Sequence, residues 1–222
     1  KAPRRSLQLL KAIIAFGGSR VSQHRLVEAL WGDYDADADA DADAAQRAYR
    51  TALYRLRKLL GETNLVTEEQ TVSLDPRRCW VDALVFDEAT RRLPTLDEPF
   101  APDVLIALYQ GHFLEADSAE PWLLSTRERL RSRVLRLVNG HGAHLEDTGA
   151  ADRALAVYRR GIELDPLAES FYQGAMRAAV AMQQFGEAAG FYRACERVLA
   201  TAFGLQPSPP TREIYAALSR RH

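Results

Sequence analysis

Only two of the 222 residues are cysteine, Cys79 and Cys195. That is too few for the disulfide framework of a small secreted scaffold, and it points to a reducing, cytoplasmic setting. No apolar run approaches the roughly 20 residues that span a bilayer, so a membrane-spanning helix is excluded. The chain starts Lys1-Ala2-Pro3-Arg4-Arg5, with no methionine and no signal-peptide pattern, and reads as a piece of something longer. Gly17-Gly18 lacks the GxxxxGK[ST] surroundings of a phosphate loop. There is no Gly-x-Ser-x-Gly, no Cys/His pairing and no pair of carboxylates that define a pocket. Nothing here calls for an enzyme or a cofactor.

A large charge of one sign is also missing, since the net charge is −1. Its distribution is uneven, which says more about partners than the total does. Residues 1–82 carry a net charge of +1, and residues 83–222 a net charge of −2. Six acids of the first segment lie in one tract, Asp33 to Asp43. Without that tract the segment stands at +7.

Helical spacing dominates. Leu7, Leu10, Ile13 and Ile14 mark a first helix that Gly17-Gly18 stops. Ser22 is a suitable N-cap for a second helix, Gln23 to Trp31, with Leu26, Val27 and Leu30 inward. A third helix is expected from about Ala44 to Leu60, closed by Gly61. Short β-prone runs follow at Leu65-Val66-Thr67, Thr71-Val72-Ser73-Leu74 and Cys79-Trp80-Val81. Beyond Val81, helices are expected over Asp82–Leu93, Asp103–Gln110, Pro121–Val138, Ala151–Leu164, Leu167–Gln183, Glu187–Phe203 and Pro210–Arg220. Tyr158 and Tyr192 occupy matching places in two similar stretches, 34 positions apart, which is the tetratricopeptide period. Such hairpins bury their apolar faces on their neighbours and build a superhelical stack.

The third helix is strongly two-sided. At about 100° per residue, Ala45, Ala48, Tyr49, Ala52, Leu53, Leu56, Leu59 and Leu60 share one stripe. Arg47, Arg50, Thr51, Tyr54, Arg57 and Lys58 lie opposite. That face contains no acid. It suits a DNA major groove, where arginine reads guanine edges and basic side chains hold phosphates; an ordinary solvated helix face is the alternative.

Gly17-Gly18-Ser19-Arg20-Val21-Ser22, Leu26-x-x-Ala29-Leu30-Trp31 and Ala52-Leu53-x-Arg55-Leu56-Arg57-Lys58-Leu59-Leu60-Gly61 resemble the winged-helix domain of response-regulator type. Leu74-Asp75-Pro76-x-x-Cys79-Trp80-Val81-Asp82 looks like the junction to a bacterial transcriptional activator domain. That is the tetratricopeptide-like partner found in antibiotic regulatory proteins and in large ATPase regulators similar to the maltose activator. Trp122-Leu123-Leu124-x-x-Arg127-Glu128-Arg129-Leu130, Leu164-Asp165-Pro166-Leu167-Ala168-Glu169 and Phe203-Gly204-Leu205-Gln206-Pro207-Ser208 match its pattern. The resemblance implies a mostly α protein: a winged helix-turn-helix over 1–82, then a tetratricopeptide-like superhelix over 83–222. It implies that the third helix enters double-stranded DNA. It places residues 32–44 in the transactivation loop, which touches RNA polymerase. It gives the helical stack self-association or signal input. The family's small N-terminal sheet has no counterpart ahead of the first helix, so apolar surface is expected to be exposed there. The wing position holds Glu68-Glu69-Gln70, and acids beside phosphates are unfavourable.

Asp33, Asp35, Asp37, Asp39, Asp41 and Asp43 alternate mostly with alanine. They read either as an extended, self-repelling loop or as a polymerase-contact loop carried by Asp35, Asp37, Asp39 and Asp41. An EF-hand is disfavoured, because Ala40 and Gln46 stand where glycine and glutamate are required. The helix from Pro121 carries Arg127, Arg129, Arg131, Arg133 and Arg136 opposite Leu123, Leu130, Val134, Leu137 and Val138. It is a basic amphipathic core helix, or an anionic-ligand or partner surface at Arg127 and Arg131. His141 and His144 have metal-like spacing without further ligands nearby, and are expected in an exposed turn.

Overall fold

The computed structural model describes residues 4–32, 38–92, 101–117 and 120–219, without the side chains of 38–41. The chain forms two compact units, one of residues 1–85 with 113–128 and the other of residues 86–112 with 129–222.

In the first unit, α1 (Arg4–Ala15) ends before Gly17-Gly18, β1 (Val21–Ser22) leads into α2 (Gln23–Trp31), and α3 spans Ala38–Leu60. Gly61, at φ 97°, closes α3, with its N–H on the Arg57 carbonyl at 2.8 Å. β2 (Leu65–Glu68) and β3 (Thr71–Leu74) form a hairpin with the two-residue loop Glu69-Gln70. The sheet order is β1-β3-β2, and both pairings are antiparallel. The third strand is therefore Val21-Ser22, paired with Val72 and Thr71. Cys79-Trp80-Val81, expected to be β, forms no strand. The Cys79 N–H bonds the Asp75 carbonyl in a turn instead.

Leu9, Ala12, Ile13, Leu26, Leu30, Trp31, Tyr49, Ala52, Leu56, Leu65, Val72 and Leu74 make one core. The buried stripe of α1 runs through Leu9, Ala12 and Ile13, while Leu7 is exposed. Residues from 113–117 and 120–128 lie against α1. Trp122 meets Phe16 edge-on at 6.2 Å, the Thr126 hydroxyl donates to Ala15 O at 2.7 Å, and Lys11 pairs with Asp117 at 2.7 Å. α1 thus meets residues more than a hundred positions further along the chain.

The second unit is helical. It contains α4 (Asp82–Arg92) from Phe86 onward, α5 (Pro102–Leu108), α6 (Leu124–Asp147) from Arg129 onward, α7 (Ala151–Leu164), α8 (Glu169–Ala181), α9 (Phe185–Phe203) and α10 (Pro209–Ser219). α7 packs on α8, α8 on α9, and α10 on both α8 and α9. Gly204, at φ 66°, ends α9 in the left-handed region that glycine favours.

The repeat tyrosines are packing residues. Tyr158 is buried, and a Cβ on Gly142 or Gly174 would strike its ring. Two helical glycines therefore make room for one aromatic ring. Its hydroxyl donates to Glu146 Oε1 at 2.5 Å, and the same carboxylate receives Arg177 Nε at 2.9 Å. Tyr192 stacks on Tyr215 with ring centroids 4.0 Å apart.

α6 runs nine residues past the expected Val138 and takes in both histidines. His141 is not in an exposed turn. Its side chain is 9% exposed and its Nε2 lies 3.1 Å from Asp103 Oδ1. His144 is exposed on the same helix. Among the described residues, no group of three or more His, Cys, Asp or Glu is placed to hold a metal, and no helix is long and apolar enough to cross a membrane.

Candidate nucleic-acid interface

α3 begins at Ala38, so the second half of the acidic tract opens a helix instead of continuing a loop. Alanine is the strongest helix former, and aspartate near a helix N-terminus opposes the macrodipole. Asp35 and Asp37 lie outside the described residues. Asp39 and Asp41 fall in the first turns of α3, and their side chains are likewise outside the description.

Ala45, Tyr49, Ala52 and Leu56 are buried, and Ala48, Leu53 and Leu60 pack beside them. Leu59, expected inward, is 50% exposed. The exposed arc is therefore wider than the angular reading gave. It brings together Arg47, Arg50, Thr51, Tyr54 and Lys58, and adds Arg55, which sits at the edge of the arc next to Leu59. The exposure of Leu59 reveals Arg55; the 3.6-residue period alone leaves it on the border.

The six expected residues are not equivalent. Arg57 is half-buried and donates to the Thr67 hydroxyl on β2, joining the helix to the hairpin. Its Nε is buried without a hydrogen-bond partner. The Thr51 hydroxyl donates to Arg47 O at 3.0 Å, a local bond within the helix. Lys58 Nζ lies 4.7 Å from the Tyr54 ring centroid, and hydrogen bonding to Tyr54 raises the lysine pKa above its ordinary value. Arg47, Arg50 and Arg55 extend from the exposed face. Between Arg47 and Lys58 the helix has no acid.

The hairpin presents Glu68 and Glu69 to solvent, with Glu69 at φ 49°. Behind α3, the Tyr49 hydroxyl is buried with no hydrogen-bond partner. Burial pushes its pKa up to about 12, opposed in part by Arg57.

Arg127, Arg129, Arg131 and Arg133 of α6 are tied to internal acceptors. In the first unit, Arg127 Nε donates to Phe113 O at 2.8 Å, and its terminal nitrogen to Leu114 O. In the second unit, Arg131 Nε donates to the buried Asp165 Oδ2 at 2.6 Å. Arg129 and Arg133 pair with Asp87 at 3.3 and 3.0 Å. Arg127 and Arg131 thus belong to different compact units and each has a local structural task.

The family model described as the Bacterial transcriptional activator domain matches residues 104–219. The regulatory protein AfsR of Streptomyces griseus is 26% identical over 219 residues, which is 96% of this chain and 22% of that protein. The chain therefore spans less than a quarter of the curated relative's length. Among solved structures, Mycobacterium tuberculosis EmbR in complex with a low-affinity phosphopeptide matches over 100% of the chain and 61% of its own. That match has a TM-score of 0.62 at 18% identity, so it is a likeness of fold.

Proposed function

The chain belongs to the bacterial transcriptional activator domain family, and from that premise we propose that it is the DNA-binding and helical-repeat part of a transcription regulator. In this reading residues 1–82 are a winged-helix domain of response-regulator type, with α3 as the recognition helix and the β2–β3 hairpin as the wing. Residues 83–222 are the tetratricopeptide-like domain, which self-associates or receives a signal. The acidic tract contacts RNA polymerase through Asp35 and Asp37, and through Asp39 and Asp41 in the first turns of α3. The protein acts in the cytoplasm.

One observation carries the DNA assignment: from Arg47 to Lys58 the exposed face of α3 collects Arg47, Arg50, Arg55 and Lys58 with no acid between them, and the exposed Asp43 stands one turn ahead of Arg47. A solvated stretch normally mixes both signs; a run of one sign matches a phosphate backbone. Arg47, Arg50, Tyr54 and Lys58 are the base and phosphate contacts, and Thr51 lies among them. Arg57 sets the angle of the hairpin through Thr67.

The test is titration of sheared genomic duplex DNA with the full chain and with an Arg47→Glu/Arg50→Glu variant. About four phosphate contacts give roughly a hundredfold loss of affinity between about 50 and 200 mM salt. The variant loses that binding and keeps its helical circular dichroism. A flat salt response, or an unaffected variant, overturns the assignment.

A second reading rests on the exposed Glu68 and Glu69 at the hairpin. Here the helical stack is a protein-interaction or ligand-sensing module, and the N-terminal unit does not bind DNA by itself. Absence of DNA binding at any salt concentration supports it.

A further inference from the structure

Within the second unit, a cavity of about 390 Å³ opens between the end of α4, the start of α5 and the outer side of α6. Its size falls in the range of small-molecule sites. Leu137 and Pro102 supply apolar wall, and Thr90 spends its hydroxyl on Phe86 O at 2.6 Å. Gly140 lies in the lining, and a Cβ built on it would meet nothing within 4 Å. The space above this helical glycine is open, unlike that above Gly142 and Gly174, where Tyr158 stands.

Beyond Thr90, the polar lining of the cavity comes from basic side chains, two of them arginines. Arg133, Arg136, His141 and His144 line it at one-turn intervals along α6, and the described lining contains no acid. Two of these groups are already balanced. Arg133 pairs with Asp87 at 3.0 Å, and His141 meets Asp103 at 3.1 Å. Arg136 and His144 remain at the exposed rim, where Arg136 gives one N–H to Ser132 Oγ at 2.7 Å. A guanidinium has five N–H donors in a planar fork that fits a carboxylate.

We propose that this cavity binds a small organic carboxylate, with its apolar body over Leu137, Pro102 and the open Gly140 position and its carboxylate on Arg136 and His144. The site is separate from α3, so it stands or falls without the DNA reading. It would give the helical stack a ligand of defined chemistry.

The probe is 1-naphthoate, with the neutral 1-naphthamide as the charge control. Both are titrated into the ¹⁵N-labelled full chain and followed by amide shifts. The expected result is saturable binding of the acid, at least about tenfold tighter than the amide, with shifts confined to Thr90, Pro102's neighbours and residues 133–144. Arg136→Gln weakens the acid about tenfold and leaves the amide unchanged. Gly140→Leu fills the cavity and removes binding of both. Because leucine is a far better helix former than glycine, this variant melts at a higher temperature. Lack of saturation up to about 5 mM acid overturns the proposal. So does equal binding of acid and amide, or undiminished binding to Gly140→Leu. A lower melting temperature for Gly140→Leu also overturns it, because the space would then be filled by the protein's own chain.

Discussion

Glu169 Oε1 accepts both the backbone N–H and the hydroxyl of Ser208, at 2.6 and 2.8 Å. It also accepts the hydroxyl of Thr211, which is fully buried. One carboxylate oxygen at the start of α8 thus holds the entry to α10. The stretches ending in Glu169 and Ser208 look like separate motifs in the sequence, and here they meet. Glu169→Ala leaves three donors without their acceptor. It should cost about 1–3 kcal/mol, read as a lower urea midpoint, and Glu169→Gln should recover part of the loss.

Gly174 and Gly190 are both helical glycines with opposite surroundings. A Cβ on Gly174 strikes the Tyr158 ring, while one on Gly190 meets nothing within 4 Å. Gly174→Ala should destabilise by about 1–3 kcal/mol through overpacking. Gly190→Ala should stabilise by up to about 1 kcal/mol through helix propensity. Paired thermal melts check the opposite signs.

Tyr49 sets a pH dependence. Its folded pKa stands at about 12 against an ordinary 10.0, chiefly because the ring is buried. Between those values the unfolded chain sheds a proton that the folded chain keeps. The contribution is intact below pH 10 and is lost as pH rises toward 12. Buried Cys195, raised from 9.0 to about 12, adds a loss that starts one unit lower. Tyr49→Phe should be at least as stable near neutral pH, since it removes a buried hydroxyl without a partner. At about pH 11 it should keep stability that the parent chain loses; urea midpoints at the two values measure this.

Arg50 and Arg57 should separate folding from DNA binding. Arg50 is exposed, whereas Arg57 bonds Thr67 across to β2. Arg50→Ala should leave the melting temperature unchanged and lower the slope of log affinity against log salt by about one. Arg57→Ala should weaken DNA binding too, but with about 1 kcal/mol of stability lost. Melting curves and salt titrations on the same samples distinguish the two.

Much of the fold is legible along the chain because helix formation is a local matter. The span expected for α2 is the span found, and so is that of α7, where the apolar period and a terminal signal agree. α6 escapes this logic. The helix expected to stop at Val138 continues through Gly140 and Gly142 to Asp147, and Gly142 leaves room there for the Tyr158 ring. Val21-Ser22 is too short to announce itself as a strand, and only its partner β3 makes it one. Leu59 has the period of a core residue and is exposed among the described residues.

By itself the sequence determined the helical class, the spans of α2 and α7 and the cationic side of α3, since each depends on residues within a few turns of one another. Tertiary structure decided which groups on those helices are spent. Arg57 goes to Thr67, Arg131 to Asp165, Glu169 to Ser208, and α1 to residues from 113–117 and 120–128. Those partners lie 10 to 111 positions away, and no period of 3.6 residues reports on a neighbour that only folding brings within bonding distance.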